Sequence, residues 1–103
     1  MAGIREYKTV NPAYTALPKL HTELDRLHVP HEWLRLFDGW QILIVWGNHV
    51  ISAVQHFGSY GQANDLIEMA GYGFDGDVAG WMTVNEALDH IKRNVPPAVK
   101  AFG

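Results

Sequence analysis

The 103-residue sequence predicts an α+β fold: an antiparallel three-stranded meander accompanied by three helices, in the order α-β-β-β-α-β-α. Three observations point to it. Between Glu32 and Phe57, two-residue turn signals at Asp38-Gly39 and Gly47-Asn48 separate three runs rich in β-branched and aromatic residues. Ahead of them, Leu17, Leu20, Leu24 and Leu27 recur at helical spacing. Near the end, Thr83 and Glu86 have the spacing of a capping box that opens a helix.

Residues 1–14 carry no periodicity, and Asn11-Pro12 marks a turn. Thr15 is placed to cap a helix over Ala16–His28, with Pro18 in its first turn, where a missing N–H does no harm, and Pro30 as its stop. The middle strand of the meander is Trp40–Trp46. With two-residue hairpins on both sides, Phe37 lies opposite Trp40, Arg35 opposite Ile42 and Trp33 opposite Ile44, while Trp46 faces His49 and Ile44 faces Ile51. One face then carries Trp33, Arg35, Phe37, Trp40, Ile42, Ile44, Trp46, His49, Ile51 and Phe57. The other carries Leu34, Leu36, Leu43, Val45, Val50 and Val54, interspersed with Glu32, Gln41, Ser52 and His56. Both faces are largely apolar, so both need cover, by helices on one side and by a subunit partner or ligand on the other.

After the glycine-containing loop GSYGQAND, a helix is expected over Gln62–Ala70, ended by Gly71 in the left-handed conformation. Val78–Met82 reads as a fourth, short strand. The last helix buries Val84, Ala87, Leu88 and Ile91 and stops at Asn94, Pro96 and Pro97, leaving 95–103 as a tail. The whole chain, 1–103, reads as one domain with one core.

Hydrophobic residues make up 48% of the chain and charged residues 18%, a balance that folds rather than staying disordered. The net charge of −3, with no run of Lys or Arg, argues against binding to a row of phosphates, so no nucleic-acid partner is expected. With no cysteine there is no disulfide, thiolate nucleophile or zinc ribbon. The segment MAGIREYKTV has no apolar stretch suited to a signal peptide, and polar residues interrupt the longest apolar run, Trp40–Val54, so no membrane span is expected and the cytoplasm is the expected location.

No catalytic motif is present. Ser52 and Ser59 lack the nucleophile-elbow spacing, the glycine loop lacks a P-loop lysine, and Asp75 and Asp77 lack the other ligands of a calcium loop. His21, Asp25 and His28 fall at i, i+4 and i+7 on one flank of the first helix. That spacing allows a small metal-dependent hydrolase, and equally the wet edge of an amphipathic helix; no metal or other cofactor is assigned on it. The candidate binding surface is the aromatic face. Arg35, beside Trp33 and Trp40, can stack its guanidinium on an indole while its fork reaches a carboxylate or phosphate. With the loop Ser59, Tyr60 and Gly61 ahead of the expected helix, this set suits a small anionic, nucleotide-like ligand. The same face suits a homo-oligomer contact or a host protein.

The strings LFDGWQI, HFGSYG, DLIEMAG and VAGWMTVNEALDHI, in that order, resemble a family of small uncharacterised proteins carried by phages and prophages of gut bacteria. The resemblance spans Leu20 to Ile91 and contains no catalytic signature. It implies a phage accessory protein in the host bacterial cytoplasm; by analogy with phage accessory proteins of this size, the expected role is to inhibit host defence by sequestering a nucleotide signal or by binding a host protein. The expected function is therefore non-enzymatic binding, with a protein-interaction module and a metal-dependent hydrolase as alternatives.

Overall fold

The computed structural model describes residues 9–96. Its elements are α1 (Ala16–Arg26), β1 (Glu32–Leu36), β2 (Gly39–Trp46), β3 (His49–Gln55), a 3-10 turn at Gln62–Asn64, β4 (Ile67–Gly71), β5 (Val78–Met82) and α2 (Val84–Asn94). The α+β class is as the sequence predicts, but five strands and two α-helices replace three strands, a short fourth and three helices. The strands form one antiparallel sheet in the order β1-β2-β3-β4-β5. The irregular N-terminal segment and the tail expected from the sequence fall partly outside the described residues.

The β2–β3 hairpin has the expected register, Trp46 opposite His49 and Ile44 opposite Ile51. The β1–β2 hairpin does not. Leu36 pairs with Gly39 and Arg35 with Trp40, so the turn residues are Phe37 and Asp38, and the register is displaced by two residues from that expected. The reason is Gly39, which belongs to the strand: a Cβ there would run into the carbonyl oxygen of Gln55 on β3. Phe37 takes the left-handed conformation in its stead, with φ 53°. A two-residue displacement preserves the faces, so Trp33, Arg35, Trp40 and Ile42 still share one side.

The helix expected over Gln62–Ala70 is a second correction. Only Gln62–Asn64 is helical; Ile67–Gly71 pairs with β3, burying Ile67 and Met69 and turning Glu68 and Ala70 to the other face. The segment's period of two and its pairing with a sheet edge outweigh a helical reading that five residues cannot exclude. Gly71 is left-handed as expected, φ 100°, but it ends a strand. Val78–Met82 is a strand as expected and pairs with β4, and opposite Glu68 the two residues Gly80 and Trp81 form a bulge in which Trp81 has φ 60°.

Helix α1 ends two residues earlier than expected. His28 N–H donates to Asp25 C=O at 3.1 Å and Val29 N–H to Leu24 C=O at 2.9 Å, the pair of bonds that closes a Schellman turn. His28 occupies its left-handed position, φ 58°, where glycine is usual. Val29, buried like Leu24, supplies the apolar contact that accompanies such turns.

Thr15 does not cap α1 with its side chain. The cap comes from across the molecule. Asp65 Oδ1 accepts from the N–H groups of Thr15 at 2.8 Å and Ala16 at 3.0 Å, and from Gln55 Nε2 at 2.6 Å. Asp65 Oδ2 takes the Thr15 hydroxyl, and Gln55 Oε1 accepts from Leu17 N–H at 3.0 Å. At the other end of the chain, Thr83 and Glu86 form the expected capping box of α2, which buries Ala87, Leu88 and Ile91.

Both helices lie on the aromatic face. Leu17, Leu20 and Leu24 of α1 and Ile91 of α2 close a core with Ile42, Ile44, Ile51, Ala53, Ile67 and Met69. The opposite face has no helix on it among the described residues, so one of the two apolar faces is left uncovered. No helix among these residues is long and apolar enough to cross a membrane.

Two outcomes test these contacts. His28→Gly removes the left-handed penalty of a β-carbon and should raise the urea midpoint, by about 0.5–1 kcal/mol of stability. For Asp65, burial pushes the carboxyl up, but the hydrogen bonds from Thr15, Gln55 and the Ala16 and Thr15 amides outweigh it and hold the pKa below the ordinary value. A carboxyl depressed in the folded state contributes stability that is complete above its unfolded pKa and fades as pH falls through the folded one. Asp65→Asn should therefore cost most near neutral pH and progressively less below about pH 4, and Asp65→Ala should cost about 2–3 kcal/mol at pH 7, read by denaturant unfolding across pH.

Candidate functional site

The described structure offers two surfaces with chemistry, one beside the α1–β1 connection and one on the uncovered sheet face.

On the first, the register of β1 and β2 sets Arg35 directly opposite Trp40, and Trp33 diagonal to it. Trp33 stacks on Trp40 at 4.3 Å between ring centroids and 16°, and on its other side stacks on His21 of α1 at 4.3 Å and 3°. The Arg35 guanidinium carbon lies 5.3 Å from the Trp40 ring, and its Nη2 donates to Phe37 C=O at 3.3 Å. The structure thus brings together Trp33, Arg35 and Trp40 as the sequence suggests. It fills both faces of Trp33 with neighbouring rings, which a planar ligand would need to displace.

Ser59, Tyr60 and Gly61 lie in the loop between β3 and β4, and the loop's donors are turned inward. Phe57 N–H donates to Asp38 Oδ1, Gly58 N–H to His56 Nδ1, Ser59 N–H to His56 C=O and Tyr60 N–H to Glu68 Oε1, all between 2.8 and 3.0 Å. The Ser59 hydroxyl accepts from His56 N–H and donates to His56 C=O. Gly61 packs against the backbone of Trp81. Four successive amides are spent on internal acceptors, one of them the carboxylate of Glu68.

Next to the aromatic row stands a cluster the sequence pointed to only in part. His21 and Asp25, one turn apart on α1, meet His31 rather than His28. His21 Nδ1 is 2.7 Å from His31 Nε2, His21 Nε2 is 3.5 Å from Asp25 Oδ2, and His31 Nε2 is 3.7 Å from Asp25 Oδ1. The Schellman turn explains the exchange. It points the chain out of the helix at His28, which is exposed, and returns it through Pro30, so that His31 comes back against the α1 flank with its side chain 4% exposed.

On the uncovered face every strand contributes an outward apolar residue: Leu34, Val45, Val50, Ala70 and Val78 in strand order. Val45 and Val50, directly paired across β2 and β3, are 58% and 42% exposed. The polar residues among them are matched, Gln41 Nε2 donating to Ser52 Oγ at 3.1 Å. His56, at one end of this face, has its pKa pushed down by burial against the opposing pull of Glu68 and Asp38, so it is neutral at pH 7. Exposed Phe57 and Tyr60 stand at the same end. Comparison with protein-family models, with curated proteins and with solved structures finds no match.

A readout of the first surface follows from its stacking. Trp40→Ala removes a ring partner from Trp33 and the cation–π contact of Arg35, and should cost about 2–4 kcal/mol in chemical unfolding.

Proposed function

We infer that the protein is a binding module that works through its uncovered sheet face, and that the face docks on a second copy of the chain. The observation that carries this is the set of exposed apolar side chains on that face, Leu34, Val45, Val50 and Val78, with no helix of the described residues laid over them; Val54, on the same face, is buried. An exposed apolar set of this kind on an antiparallel sheet is ordinarily covered.

A second copy fits because of charge. A twofold contact sets a patch against itself, so any strong charge in its middle would meet its like. The Val45–Val50 pair has none beside it in the strands. The same face carries Glu32, opposite Leu43 at the edge strand, and Glu68, opposite Val54, whose carboxylate accepts the Tyr60 amide. The pKa of His56 is held below the usual histidine value by burial, and Gln41 is bonded to Ser52 across the strands, so part of the polar surface on this face is already paired. Two such faces would stack about 10 Å apart as a sandwich. This keeps self-association as the reading and moves it from the aromatic face, which the helices occupy, to the opposite one.

Light scattering and sedimentation equilibrium should find a dimer that dissociates on dilution. The double substitution Val45→Lys, Val50→Lys, at the Gly47-Asn48 hairpin end of the face, should give a monomer with stability changed by no more than about 1 kcal/mol. A wild-type chain that stays monomeric up to about 1 mM, or a double variant that still dimerises, would count against the face-to-face contact.

A further inference from the structure

His21, Asp25 and His31 have the composition and the approach distances of a divalent-metal site. The three side chains offer two imidazole nitrogens and a carboxylate oxygen within 4.8 Å of one another. Around an ion held by bonds of about 2.0–2.1 Å, tetrahedral ligand atoms stand roughly 3.3 Å apart. His31 Nε2 and Asp25 Oδ1, 3.7 Å apart, are already near that spacing, and His21 offers one of its two nitrogens: Nε2, 3.5 Å from Asp25 Oδ2, or Nδ1, whose 2.7 Å contact with His31 Nε2 would need to open by about half an ångström.

The protonation pattern supports the same reading. His31 Nδ1 lies 2.7 Å from the carbonyl oxygen of Val29. A carbonyl only accepts, so Nδ1 carries the hydrogen and, in neutral His31, Nε2 presents its lone pair to His21 and Asp25. A ligating histidine whose other ring nitrogen donates to a backbone carbonyl is the arrangement that fixes a metal-binding tautomer. The His21 ring is oriented too, by lying flat on Trp33 at 4.3 Å and 3°. Among the described residues the cluster therefore has supported ligands, with His31 buried and Asp25 open to water on its outer side.

We propose that His21, Asp25 and His31 bind one zinc-class divalent cation, with water completing the coordination. Two imidazoles and one carboxylate suit zinc, cobalt(II) or nickel(II); a single carboxylate is too few oxygens for calcium. The inference is independent of the sheet-face contact, because the cluster sits on α1 and the loop that follows it, on the helix side of the sheet. The competing occupant is a proton: an imidazolium at His21 would donate to His31 Nε2 and to Asp25 and hold the same three groups without an ion.

The test uses the full chain purified without an affinity tag and stripped with chelator. Zinc chloride is titrated by calorimetry, and cobalt(II) chloride by its visible absorption, which reports geometry. The expected result is one ion per chain at micromolar affinity, with the intense cobalt bands of four-coordination. Asp25→Asn, an exposed position where folding is not at stake, should weaken binding by at least about tenfold, as should His21→Gln, while His28→Gly should leave it unchanged. No binding at zinc concentrations up to about 1 mM overturns the proposal in favour of the proton-bridged cluster. Binding that Asp25→Asn leaves intact, or that His28→Gly abolishes, overturns it by placing the ion elsewhere.

Discussion

The first turn of α1 is where the sheet and the helix layer are joined. Its backbone N–H groups have no partners inside the helix, and each is met from outside: Thr15 and Ala16 by Asp65 and Leu17 by Gln55. Pro18 has no N–H to satisfy, and Lys19 N–H makes the first intrahelical bond, to Thr15 C=O at 3.2 Å. The accounting closes through two side chains more than 35 residues away in sequence, |i−j| being 38 for Gln55 and 49 for the Asp65–Ala16 bond. Gln55, fully buried at the end of β3, and Asp65, just before β4, are bonded to each other as well, so the helix start, a central strand and the β3–β4 loop share one polar cluster inside an otherwise apolar contact.

That cluster settles which way up the sheet lies. Gln55 has the parity of Ile51 and Ala53, so a helix anchored to it covers the face that carries Ile42, Ile44, Trp33 and Trp40. The leucine stripe of α1 then has only that face to close on, and α2, capped at Thr83 and packed against α1 and β4, extends the layer. The face that carries Leu34, Val45, Val50 and Val78 is what remains. A capping interaction thus decides which face is left open, and the apolar residues on that face suggest what covers it. It also places His21, on the flank of the anchored helix, against Trp33 and His31.

What could be read from the sequence divides along physical lines. Local chemistry was legible: the capping box at Thr83 and Glu86, the Gly47-Asn48 hairpin with its register, and the leucine stripe of α1 all depend on residues within a few positions of one another. The structure departs from the local signal where a distant contact decides the outcome. Gly39 looks like a turn residue and is a strand residue pressed on Gln55; Asp65 looks like the interior of a helix and is the cap of another one. The end of α1 differs because His28, not glycine, takes the left-handed position, and this brings His31 rather than His28 against His21 and Asp25. The row Trp33, Arg35, Trp40 was legible as a group because a two-residue register displacement leaves faces unchanged, whereas the inward use of the Phe57–Tyr60 amides had no signal in the sequence.

In the proposed function the helices close the isoleucine face and leave the valine face for a second chain. Methyl NMR with a soluble paramagnetic relaxation agent reads both faces in one experiment, on protein diluted through the dimer–monomer transition. The methyls of Ile42, Ile44 and Ile51 should stay protected at every concentration, while those of Val45 and Val50 should be protected in concentrated protein and broadened on dilution. Val45 and Val50 signals equally broadened at all concentrations, or isoleucine methyls that lose their protection with them, would contradict it.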